Sequence, residues 1–427
     1  METLLSLSIA LAAGLLLSRF VKPLKLPAVT GYLIAGILVG PYCLGALGVP
    51  GLGFTSMEQL EGLNIISNVA LGFIAFAIGN EFRVDDLKKN GVQATVIGIF
   101  QALVAALLVD AALLGFHMIA PDKLSAPAAI TLGAIATATA PAATLMVVRQ
   151  YKAKGPLTDL LLPIVALDDA VGLVVFAVSF GISRALIEGK VDMISVIVNP
   201  IVEIIASLLL GALMGVLFSI AEKFFNSNSK RLSLAITFVM LAVGISQLHF
   251  TLGPITVDFS SLLVCMMLGP VFCNICDFSA EIMEKTDKWT APLFVLFFVM
   301  SGAELELGVF TDIVIVAIGV VYILFRSAGK IIGAAASAKA VKCSPTIVKY
   351  LGITLLPQAG VALGMTITAM SLGADGILIR NIVLFAVMIY ELVGPALTRI
   401  ALLKAGDITP KKVDIHAAAN AADEDDE

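Results

Sequence analysis

Charge is scarce in this chain. Lys, Arg, Asp and Glu together make up 14% of its 427 residues, against a hydrophobic share of 59% and a mean hydropathy of +1.02. That balance excludes a soluble globular domain, whose surface needs more polar groups. Histidine is rarer still. His117, His249 and His416 are the whole complement, none lies beside an intramembrane acid, and no nucleotide motif occurs, so an enzyme is the reading with least support. Five cysteines lie in or beside apolar blocks. Cys273 and Cys276 form a CxxC, without the second pair or the histidines that a zinc or redox site needs. The chain opens Met1-Glu2 with no basic segment ahead of its first apolar block, so no cleavable signal is expected. No soluble segment is expected at either end, and hence no in-chain nucleotide or ligand sensor. No cofactor and no nucleic-acid partner are expected.

What is there is apolar sequence in blocks of about 20 residues, separated by short charged loops, the pattern of an all-α polytopic membrane protein. Thirteen transmembrane helices are predicted, over residues 3–18, 26–47, 59–80, 91–116, 125–148, 157–183, 194–221, 232–248, 253–272, 290–307, 312–338, 345–372 and 377–403. An odd number puts the termini on opposite sides. With the N-terminus outside, 21 of the 27 lysines and arginines fall on the cytoplasmic side. Lys123, Arg184, Lys190 and Arg380 fall outside, and Arg326 and Lys330 lie within a span. The positive-inside rule therefore places the C-terminus in the cytoplasm. The segment from Asp277 to Lys288 carries both signs of charge and reads as a separate interfacial helix. The acidic tail, residues 406–427, reads as disordered.

Two adjacent carboxylates, Asp168 and Asp169, sit inside the sixth span. An unpaired carboxylate in hydrocarbon costs several kcal/mol, and intramembrane acids usually line an ion or proton path. Neighbours on a helix point about 100° apart, so one can face a cavity while the other meets a partner. In the eleventh span Arg326 and Lys330 stand at i and i+4 and share a face. The depths of Lys330 and the aspartates overlap, and a buried lysine needs an anion. A static ion pair would account for one aspartate. The second is then left to hold a cation or a proton in alternation. Asp110, Glu203, Asp258, Glu304, Glu306 and Glu391 read as solvated or interfacial residues near span ends.

The fifth span contains Thr137-Ala138-Thr139-Ala140-Pro141 and Thr144, and the twelfth contains Thr354-Leu355-Leu356-Pro357-Gln358-Ala359-Gly360. Proline deletes a backbone hydrogen bond, and freed backbone groups at that depth must be satisfied by protein or water. One such proline can simply kink a packed helix. Two, each in the middle of a triplet of spans that enter from opposite sides, indicate inverted repeats with crossed broken helices and a midplane site.

Together these residues resemble the monovalent cation:proton antiporters, most nearly the second branch of that superfamily, the bacterial NapA-type and Kef-type proteins. The double aspartate, Thr137 to Pro141, Gly329-Lys330, the Leu356-Pro357-Gln358-Ala359-Gly360 break and the closing Tyr390-Glu391-Leu392-Val393-Gly394-Pro395 carry the likeness, which extends over residues 1 to about 405. The resemblance implies an NhaA-like fold, a homodimer in the plasma membrane of a bacterium, and elevator-type alternating access. Residues 1–90 and 223–310 would form a dimerisation scaffold. Residues 91–190 and 311–405 would form a moving core, and 191–222 a linker helix. It implies Asp169 as the carrier of cation and proton, Asp168 as the partner of Lys330, and electrogenic exchange of two protons for one sodium ion. Thr137, Thr139 and Thr144 are candidate cation ligands, and Pro141, Pro357 and Gln358 line the crossing. Na+, K+, Li+ and H+ are substrates in that scheme. K+/H+ exchange and a channel-like K+ efflux protein of the same fold are the alternatives. Kef-type proteins usually carry a soluble nucleotide-binding domain and lack the double aspartate, which counts against the latter. Gln358 stands where relatives often have Arg.

Overall fold

The computed structural model describes residues 2–24, 28–49, 52–80, 82–140, 144, 147–148, 151–189, 198–225, 227–248, 250–252, 255–305, 308 and 311–408; for some helical residues, Asp169 among them, only the backbone is described. The helices are α1 (Glu2–Val21), α2 (Ala28–Val39), α3 (Met57–Glu61), α4 (Asn64–Asn80), α5 (Val84–Ile119), α6 (Ala126–Ile135), α7 (Pro156–Glu188), α8 (Asn199–Glu222), α9 (Asn228–Ile245), α10 (Ser261–Ile275), α11 (Ser279–Ala303), α12 (Ile313–Ala340), α13 (Pro345–Thr354), α14 (Gly360–Ala369) and α15 (Ala374–Ala405). Among the described residues, α1, α5, α7, α8, α12, α15 and the stretch Ala28–Leu47 that begins with α2 are long and apolar enough to cross a bilayer, and α4, α6, α10 and α14 are shorter apolar helices. The chain is a multi-pass membrane protein.

Each predicted span finds a helix beneath it, with three departures. The charged stretch Asp277 to Lys288 is not a separate interfacial helix; from Ser279 onward it is continuous with the tenth span as α11. Its Glu281–Lys285 and Glu284–Lys288 pairs, both i,i+4 at 2.6 Å, support a helix in water, so nothing stops the span at the membrane edge. The ninth span starts late. A short antiparallel ribbon, β1 (Phe250–Leu252) with β2 (Ile255–Val257), precedes α10, in keeping with the β-branched Thr251, Ile255, Thr256 and Val257. Arg380, counted with the outer loops, is 4% exposed inside α15 and lies 3.6 Å from Glu304 at the end of α11.

The ends of the helices that build the site are fixed by local chemistry. Ser125 caps α6, accepting from Ala128 N, and donates to the Asp375 carboxylate at 2.6 Å. Pro156 opens α7, and Asp407, just past α15, accepts from Thr158 N and Oγ1 at 2.7 and 2.8 Å. Gly155 at the N-cap leaves room for that carboxylate, which a Cβ would meet. Asp312 caps α12 and Ser344 caps α13.

Helices α5, α6, α7 and α12 to α15 pack chiefly on one another, as do α1, α2, α4, α10 and α11, with α8 and α9 against α10 and α4. The most extensive packing joins α5 to α12, where glycines replace side chains. A Cβ on Gly329 would lie 2.5 Å from Ala105 Cα, and one on Gly333 2.8 Å from Gln101 Cα. Small residues at such a seam let membrane helices approach backbone to backbone. The seam delivers Lys330, between those glycines, against α6 and α7.

Candidate functional site

Both broken spans stop in mid-molecule. α6 ends at Ile135 and α13 at Thr354, and the chain is non-helical before α14 resumes at Gly360. The breaks cross. Ala140 N donates to Pro357 O at 2.8 Å, the Thr144 hydroxyl donates to Thr354 O at 3.3 Å, and the Thr139 hydroxyl lies 3.3 Å from Leu355 O. Pro141 lies outside the described residues.

Two C-terminal helix ends, those of α6 and α13, meet here, and their last carbonyls present partial negative charge without intrahelical donors. Arg326 of α12 supplies the donors. Its Nε donates to Ala136 O at 3.1 Å, one terminal nitrogen to Leu356 O at 2.7 Å and the other to Ala138 O at 2.6 Å. The guanidinium is wholly buried and stacks over the Tyr390 ring at 4.4 Å. Gln358 completes the knot, donating to Ile135 O at 2.9 Å and pairing with the Tyr322 hydroxyl.

One turn along α12, Lys330 is equally buried. Its ammonium lies 2.6 Å from an Asp168 oxygen, donates to Thr139 Oγ1 at 2.9 Å, and reaches the Thr137 carbonyl. Asp168 is fully buried and also accepts from Thr139 Oγ1 and from the Gln101 side-chain amide of α5. The Thr137 hydroxyl donates to Ala134 O at 2.6 Å. Asp169 follows at the next position of α7; its side chain lies outside the described residues. The arrangement brings Asp168, Lys330, Thr137, Thr139, Thr144, Pro357 and Gln358 to one crossing. It is a desolvated charge cluster set among helix ends, able to hold or exchange small cations and protons.

Residues 7–404 match the profile of the sodium/hydrogen exchanger transmembrane family. The chain belongs to that family. It is 24% identical to the Na(+)/H(+) antiporter NhaS4 of Synechocystis over 356 residues, 81% of this chain and 83% of that protein. An 84-residue stretch is 36% identical to the Cation/H(+) antiporter 19 of Arabidopsis thaliana, covering 20% of this exchanger and 10% of that one. In fold the exchanger is similar to the sodium proton antiporter MjNhaP1 of Methanocaldococcus jannaschii at pH 8, with a TM-score of 0.75 and 17% identity over 95% of this chain and 99% of that one.

Two participants in the exchanger's site escape sequence reasoning. Gln101 is a single amide in an apolar helix, and nothing local announces that α5 faces Asp168. The anchoring role of Arg326 is half visible, since its i,i+4 relation to Lys330 implies a shared face, but its carbonyl partners come from two distant breaks.

Proposed function

We propose that the protein is a secondary antiporter that exchanges sodium for protons. The observation that carries the reading is the buried Asp168–Lys330 pair at the crossing of two broken helices, in a chain of this family. Sodium is the cation named in both the matched family and the NhaS4 relative.

Exchange needs a site that a proton and a cation cannot occupy together. Asp169, next to Asp168 on α7, is the group assigned to that task, because a carboxylate can bind either a proton or a cation but not both at once. When it is ionised, it and oxygens at the break replace a cation's water shell, with Thr137, Thr139 and Thr144 as added ligands. Cation entry draws Asp168 away from Lys330, and the lysine then gives up its own proton. Two protons thus leave for each sodium ion, and transport is electrogenic. The core, residues 91–190 and 311–405, carries the site past a scaffold of residues 1–90 and 223–310, with 191–222 as the link, in an elevator motion. The functional unit is a homodimer in a bacterial plasma membrane, N-terminus outside and C-terminus cytoplasmic. No cofactor takes part.

The test is proton movement in proteoliposomes with an internal pH dye, adding sodium, lithium or potassium in turn, with valinomycin and a fixed potassium gradient setting the voltage in the sodium and lithium runs. Sodium should drive proton movement at a voltage-sensitive rate, and Asp169→Asn should abolish it in a folded protein. Potassium-only coupling would move the assignment to K+/H+ exchange. Ion leak with no proton movement would overturn antiport in favour of a channel.

A further inference from the structure

The closing Tyr390-Glu391-Leu392-Val393-Gly394-Pro395 segment has no role in the scheme above. Glu391 lies midway along α15 and is 1% exposed, and neither carboxyl oxygen has a hydrogen-bond partner among the described residues. Seven positions on, and so on the same helix face, the Thr398 hydroxyl is also buried and unpartnered. Between them Gly394 lies against Pro357, so that a Cβ there would sit 2.9 Å from the proline ring. This polar pair interrupts an otherwise apolar buried stripe of Leu384, Val387 and Leu402, on the side of α15 that faces the α13–α14 break.

The buried charged side chains described on neighbouring helices are engaged elsewhere. α2, α6 and α14 carry none. On α12, Arg326 is held by three carbonyls and Lys330 by Asp168, and Lys339 stands in the last turn. On α13, Lys349 lies over Tyr350. On α7, Asp168 is held at the crossing, Asp169 follows it with its side chain outside the described residues, Arg184 pairs with Glu188, and Asp159 stands in the first turn. An ionised carboxylate with no donor at this depth costs several kcal/mol, and the described residues offer Glu391 none.

We propose that Glu391 is a second proton-binding carboxyl of the transport core, protonated while buried and ionised when the break at Pro357 admits water. Thr398 supplies the hydroxyl that receives that water. The inference rests on the antiport reading. It adds one proton to those linked to cation binding.

Linkage provides the test, since each proton released on cation binding makes the apparent affinity change tenfold per pH unit. The slope of log apparent sodium affinity against pH should be lower by one in Glu391→Gln than in the wild type. Glu391→Asp should keep the wild-type slope with a displaced midpoint, which guards against a mere folding defect. In infrared difference spectra the wild type at neutral pH should show a protonated-carboxyl band that Glu391→Gln removes. Equal slopes in wild type and Glu391→Gln, or no band removed, would overturn the proposal. Failure of the wild type to exchange any cation for protons would instead overturn the antiport reading, and the infrared band would still decide the state of Glu391.

Discussion

Lys330 and Asp168 meet at 2.6 Å with neither side chain exposed to any degree, on helices that come from opposite halves of the chain. A buried pair of this kind contributes little net stability when complete and a large penalty when halved, because the survivor is an uncompensated charge. Lys330→Gln should therefore lower stability by about 3–5 kcal/mol, while Asp168→Asn combined with Lys330→Gln should recover much of that loss. Thermal melts of the purified variants, arranged as a double-mutant cycle, measure the coupling. Strict additivity of the two changes would mean that the pair is not formed.

Arg326 is expected to be the least replaceable side chain of the crossing. Arg326→Met leaves the carbonyls of Ala136, Ala138 and Leu356 without their donor, at about 1.5–3 kcal/mol for each hydrogen bond to a charged group. Arg326→Lys keeps the charge but cannot fork to both breaks at once. The order of both melting temperature and sodium-driven proton flux should be wild type, then Lys, then Met. Equal behaviour of Lys and Arg would show that charge alone is required.

The α5–α12 seam gives a steric prediction. Gly329→Ala puts a methyl 2.5 Å from Ala105 Cα, against backbone that cannot give way. Overpacking of this sort costs about 1–3 kcal/mol, and it displaces the helix that carries both cations of the site. Transport should fall further than stability. Gly115→Ala on α5, where a Cβ meets nothing within 4 Å, is the control and should be near wild type in both assays.

One pH effect belongs to the loop before α12. Hydrogen bonds from Lys123 and from Val314 N hold the Asp312 carboxyl below the usual carboxylate range. The sign follows from the depressed value. The contribution is present above the unfolded value, about 3.9, and is lost as pH falls through the lower folded one. Acid melts of the wild type should show that loss, and Asp312→Asn should flatten it. An unchanged acid limb in the variant would remove Asp312 from the account.

The parts of this fold that are legible in sequence are those set by local composition. Apolar blocks of bilayer length mark the spans, and Pro357 among small and polar residues marks a break, because each is a property of about 20 neighbouring residues. Asp168, Asp169 and Lys330 stand out for the cost of charge in hydrocarbon. What sequence conceals depends on distant juxtaposition. Gln101 matters because Gly333 lets α12 lie against it. The run of α11 through its charged stretch depends on i,i+4 pairs outweighing a change of solvent. Glu391 reads as interfacial by its distance along the chain, whereas the packing of α13 and α14 closes over it.

Arg326 has one more consequence. A guanidinium does not deprotonate under any condition a cell provides, and the Asp168–Lys330 pair beside it sums to zero. A core that slides as proposed thus carries the Arg326 charge through every stage, while Asp169, Lys330 and the bound ion change the charge around it. Over a complete cycle the membrane voltage does no net work on that charge. On each half-cycle it does. Each elementary charge moved through 100 mV is worth about 2.3 kcal/mol, or roughly fifty-fold in population. With protons bound, Asp168, Asp169, Lys330 and Arg326 sum to plus one, and with sodium in their place the sum is zero, so a negative-inside membrane would favour the inward movement of the protonated core.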